Sequence, residues 1–164
     1  MAVSEERHAS LHERLRALAD YLPRLESPGF EFGHWHETEE KEPGVTTLGY
    51  FEDGSVSSAL VKAAYETGWV LPTFDWGEWQ GSLEAGQLRD DSAALERATP
   101  DQLARLLTVL IRQDRFVEGA LNDAFESGLL TGILRRAAVL ADDVTDEQRL
   151  RLQQLWIRRF HRHR

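Results

Sequence analysis

The chain of 164 residues contains no cysteine, which removes disulfide frameworks, thiolate zinc sites and cysteine nucleophiles together. Any chemistry would have to come from carboxylates, histidine, serine, threonine, tyrosine, or a metal on nitrogen and oxygen ligands. Long hydrophobic runs are lacking as well. Nothing approaches the roughly 18 apolar residues of a membrane span, and the N-terminal stretch carries Glu5, Glu6, Arg7, Glu13, Arg14 and Arg16 where a signal peptide would be apolar. The expectation is a cytoplasmic protein with no membrane partner. Gly29 and Gly33 lack the strand, Gly-rich turn and helix of a dinucleotide fingerprint. Ser57 and Ser58 lack the flanking glycines of a hydrolase elbow.

What is present is enough apolar material for one core: 41% hydrophobic residues, with five Trp and seven Phe. At this length a single domain over residues 1–164 is expected. The net charge of -9 is unevenly spread. Residues 148–164 hold six Arg and no acid, so the other 147 residues carry -9 less +6, or -15. An acidic body disfavours nucleic acid, because phosphate binding needs a clustered basic face, and only the C-terminal segment supplies one.

Leu11, Leu15, Leu18, Leu22 and Leu25 recur at steps of four and three, the stripe of a helix starting near Ser4. After Ser27-Pro28-Gly29, the run Phe30–His36 alternates aromatic and polar residues as a strand does, and Val45–Phe51 suits a second strand. The acidic stretch Glu37–Gly44 between them reads as a hairpin loop. Ser55–Thr67 is a short helix with Ser55 as its cap and Gly68 as its stop. Asp75 with Glu78, and more clearly Thr99-Pro100-Asp101-Gln102, are capping boxes. Leu103, Leu106, Leu107, Leu110 and Ile111 form the best amphipathic face. Phe116 to Phe125 predicts the next helix, Leu129–Ala137 a third, and Thr145 with Gln148 caps a separate basic helix over 144–164. The fold class is α+β, mainly α, with about six helices and one antiparallel hairpin near residues 30–51.

Three segments, SPGFEFGHW (27–35), FDWGEW (74–79) and RFVEGALNDAFESGLLTGILRR (115–136), combine uncommon aromatics with an Arg and a Glu at fixed spacing. On these the stretch from about residue 18 to 136 resembles a bacterial family catalogued as domain of unknown function 6508. The resemblance implies no activity, and the segment from Val144 onward lies outside it.

Asp75, Trp76, Trp79, Arg115, Glu118 and Glu126 form the strongest candidate constellation. Arg115 and Glu118, three apart on an expected helix, would share a face. They make either an ion pair between helices or a cleft in which Arg115 holds an anion and Glu118 or Asp75 accepts a proton. Gly119 beside them suggests that a backbone or ligand comes close. Trp35, Trp76 and Trp79 are the candidate binding residues, since each tryptophan can fill one pocket of a partner. His34 and His36 would project to one side of a strand as two metal ligands could. Glu31 lies on the other parity, and Glu52 and Asp53 come near only if the hairpin pairs; no metal or other cofactor is expected. Arg158, Arg159, Arg162 and Arg164, interleaved with aromatics, are the candidate nucleic-acid contacts. The preferred expectation is a binding or regulatory module whose partner is another protein. The alternatives are a small hydrolase or transferase using Arg115, Glu118 and Asp75, and a nucleic-acid accessory protein using the tail. The oligomeric state is not readable.

Overall fold

A computed structural model describes residues 9–160. It is mainly α with two small antiparallel sheets, as expected. Helix α1 (Leu11–Ala19) starts at a reciprocal cap. Ser10 Oγ accepts from Glu13 N at 3.2 Å and Glu13 Oε2 accepts from Ser10 N at 3.0 Å. The expected start near Ser4 lies outside the described residues, and the helix within them begins only after this cap. Pro23 sits in the short α2 (Leu22–Leu25), so the leucine stripe continues across a break.

The hairpin is longer and more structured than the sequence suggested. Strand β1 (Gly33–His36) pairs with β4 (Tyr50–Asp53), placing His34 opposite Glu52 and Trp35 opposite Phe51. The acidic stretch read as a loop contains β2 (Glu39–Glu42), which pairs with β3 (Val45–Thr47) across a bulge between Glu40 and Glu42. The expected strand over 45–51 is therefore two strands. The missed signal is Pro43-Gly44, with Gly44 at φ 83°, the residue pair a tight type II turn requires. Every β2 side chain is exposed, so glutamates occupy the ladder without a desolvation cost.

Six further helices follow α3 (Ser55–Glu66): α4 (Trp76–Trp79), α5 (Leu83–Asp90), α6 (Ser92–Glu96), α7 (Pro100–Asp114), α8 (Ala120–Glu126) and α9 (Leu129–Phe160). Of the nine helices among the described residues, six have seven residues or more. Three expectations are corrected. Ser55 is the first residue of α3, capped by the Gly54 backbone without a side-chain bond. The helix expected from Phe116 begins only at Ala120, after Gly119 at φ 82°. The two expected C-terminal helices are one, because no Gly or Pro follows Gly132. Thr145 caps nothing: its hydroxyl donates to Ala141 O at 3.1 Å, one turn back. Thr99 and Gln102 do form the expected box at the start of α7.

The core lies between α1, α7 and α9. Leu130, Ile133, Leu134, Ala137 and Ala141 of α9 are fully buried, facing Leu15 and Leu18 of α1 and the leucines of α7. Each such leucine or isoleucine contributes about 1.5–3 kcal/mol by leaving water. Trp69 is fully buried too, with its indole N–H donating to Arg14 O at 2.8 Å. The connector after it is pinned to α7 by Thr108, whose hydroxyl accepts from Leu71 N at 3.0 Å. Among the described residues no helix is long and apolar enough to cross a membrane.

Candidate functional site

Alternation along β1 and β4 gives the hairpin two unlike faces. Trp35, Phe51 and Asp53 turn toward the helices, while His34, His36, Tyr50 and Glu52 turn away. The inner face meets the five residues from Arg115 to Gly119 that join α7 to α8. Phe51 N donates to Glu118 Oε1 at 2.8 Å, and Trp35 stands edge-on to Phe51 with ring centroids 5.2 Å apart. Trp35 also closes on Gly119: a Cβ there would lie 2.5 Å from the indole. Gly119 is thus required twice, for its left-handed backbone and for this contact. The glycine beside Glu118 does mark a close approach, by an indole.

Because α7 ends at Asp114, Arg115 and Glu118 lie in a turn, and the bonds they make go to different partners. Arg115 Nη2 donates to Tyr65 Oη at 2.7 Å, with the guanidinium over the Tyr65 ring at 5.7 Å. Asp75 accepts from Glu78 N at 3.0 Å as the cap of α4. Glu126, exposed on α8, accepts from Asn122 Nδ2 at 3.4 Å. The four candidate catalytic groups are therefore each engaged elsewhere.

Arg115 instead lines a cleft of about 260 Å³ with Asp53, Ser58, Tyr65 and Asp114. The loss of water on the cleft side, with the Asp114 carboxylate adding repulsion, lifts the Asp53 pKa above the usual range. Asp114 is itself held by Leu121 N at 2.9 Å. Sequence reasoning missed Tyr65 and Asp114 and considered Asp53 only beside the histidines; the three come from three separate elements with no shared spacing.

The tryptophans divide. Trp79 is half-buried, and its indole N–H donates to Glu84 Oε2 at 3.2 Å. Glu84 also accepts from Gln102 Nε2 at 3.0 Å. These two bonds, from Gln102 first and Trp79 second, hold the Glu84 carboxyl below its usual pKa. Trp76 is half-buried against Phe116, ring on ring at 6.0 Å. Phe116 is 78% exposed and Val117 52%, where a helix from Phe116 would have buried them. Trp35 is 53% exposed. Trp35 and Trp76 thus both touch the 115–119 turn.

On the outer face, His34, His36 and Glu52 bring potential metal-ligand atoms within 4.8 Å of one another. His36 Nε2 lies 2.6 Å from Glu52 Oε2, and His34 Nε2 lies 3.3 Å from the same oxygen. The His36 hydrogen bond is the main cause that lowers the Glu52 pKa; desolvation opposes it, and the charges of His34 and His36 add to the lowering. The hairpin register supplies the third group that the sequence left open. Of the basic candidates, Arg162 and Arg164 lie outside the described residues, as do the side chains of Arg158 and Arg159.

No curated protein and no solved structure matches the chain. The hairpin, the Trp76 turn and the Arg115–Gly119 turn, whose contacts make up these surfaces, all fall within residues 10–143, which match a family of unknown function (DUF6508), and the chain belongs to that family.

Proposed function

We propose that the protein is an acidic cytoplasmic binding module that engages another protein through the aromatic surface around the 115–119 turn. The observation that carries this reading is Phe116, a ring 78% exposed yet stacked on half-buried Trp76. A large ring offered to solvent on a fixed support is the anchor an interface hot spot needs. Trp35 extends the surface on the other side of the same turn. The adjoining arm carries Glu37, Glu39, Glu40 and Glu42, all exposed, against Lys41 alone. A matching partner has an apolar pocket with a basic rim. The test is crosslinking in cells of origin with the intact chain and with Phe116→Asp. A partner lost in the variant, with circular dichroism and melting unchanged, supports the reading; a partner captured equally by both removes it.

A second reading, a small hydrolase or transferase, draws on the Asp53–Asp114–Arg115–Tyr65 cleft. The raised Asp53 pKa suits a proton acceptor, and Arg115 suits an anionic group. It replaces Asp75 and Glu118 of the sequence expectation with Asp53 and Tyr65. Turnover of simple phosphate or acyl esters that survives both Asp53→Asn and Arg115→Ala would sink it.

A further inference from the structure

The outer face of the β1–β4 ladder holds three side chains whose chemistry and spacing suit a metal ion. A histidine, one residue and a second histidine on one strand direct both imidazoles to the same side, and the register sets Glu52 directly across from His34. Two ligands about 2.05 Å from a tetrahedral ion stand roughly 3.3 Å apart. His34 Nε2 and Glu52 Oε2 already stand at 3.3 Å. His36 Nε2, hydrogen-bonded to the same oxygen at 2.6 Å, needs to retreat by about 0.7 Å to reach that spacing. Its exposure leaves room for this, and its stacking on Tyr50, with centroids 4.4 Å apart, holds the ring plane.

We propose that His34, His36 and Glu52 form a binding site for a divalent transition metal of the zinc type. The two imidazole nitrogens set the class, because magnesium and calcium favour all-oxygen shells. The ion would take Nε2 from each imidazole and one Glu52 oxygen, each in its unprotonated form. The fourth position faces solvent, which is the open geometry of a three-ligand site. The site lies on the opposite face of the hairpin from Trp35, so it stands or falls separately from the docking surface.

The test is titration of the full chain with cobalt(II), read by visible absorption, and with zinc(II), read by calorimetry. A single equivalent with intense tetrahedral cobalt bands is expected. His34→Ala and Glu52→Gln should each weaken binding by about a hundredfold or more, since loss of even an outer-shell partner costs about 10–100-fold. The paired variant His161→Gln with His163→Gln controls for the histidines of the tail and should bind as the intact chain does. Unchanged affinity in His34→Ala and Glu52→Gln, with the fold intact by circular dichroism, would overturn the proposal. Binding lost only with the tail variant, or a weak octahedral cobalt spectrum, would overturn it equally.

Discussion

The helical core and the hairpin arm are built on opposite terms. In the core, α9 buries a complete face against α1 and α7, with Trp69 hydrogen-bonded to Arg14 and Thr108 to Leu71. The arm buries little beyond Phe32 and Phe51, exposes all of β2, and meets the body through Phe32 on Phe125 at its base and through Trp35, Gly119 and Glu118 at the 115–119 turn. Contacts in the core are redundant, whereas those of the arm are few and each is specific. Stability thus resides in one region, and the displayed aromatics, carboxylates and histidines in the other.

That contrast can be broken in order of expected effect. Trp69→Ala should cost about 3–5 kcal/mol in urea unfolding, the range for deleting a buried aromatic ring. Gly119→Ala should cost roughly 1–3 kcal/mol, combining the left-handed backbone with the collision on Trp35. Adding Trp35→Ala should return the collision part and leave the backbone part, so a double-mutant cycle reads the two separately. Glu118→Ala should cost about 1 kcal/mol, the net worth of an exposed bond to Phe51 N, with amide exchange faster in β4 than in α9. A core-like loss from Glu118→Ala would erase the distinction between the regions.

The smallest effects sharpen it. Glu84 has a lowered pKa, so its contribution is fully present above its usual value and is lost as pH falls through the lowered one. Melting temperature followed from pH 6 downward should therefore show a shallower acid-side decline in Glu84→Gln than in the intact chain, by a small margin because the Glu84 side chain, 37% exposed, is still screened by solvent. Phe116→Ala should leave stability within about 0.5 kcal/mol, as exposed positions do, while abolishing any partner binding.

The same contrast explains what could be read from the residues alone. Elements with period and caps were legible: the Thr99 box, the α7 leucines and the α9 face follow from short-range chemistry. The helix expected over Phe116–Phe125 failed because Gly119 takes a positive φ, and the apolar spacing of Phe116 and Val117 imitated a buried face. The false break before Thr145 came from reading Thr145 with Gln148 as a cap, although no Gly or Pro near it prevents helix. The candidate surfaces were legible only in part. His34 and His36 stood out by parity, but Glu52 needed the register that Pro43-Gly44 sets. Arg115 stood out too, while its neighbours Asp53, Tyr65 and Asp114 are joined to it only by tertiary packing.

Helix α9 runs on from residue 143, where the family match ends, to Phe160 without interruption. An unbroken helix turns about 100° per residue, which makes α9 an angular gauge as well as a spacer. Inserting one residue after 143 would swing everything beyond it a quarter-turn or more around the axis, whereas inserting seven would restore the heading to within about 20°. The heading of the last described turns of α9 is a matter of phase, fixed by the same leucines that fill the core.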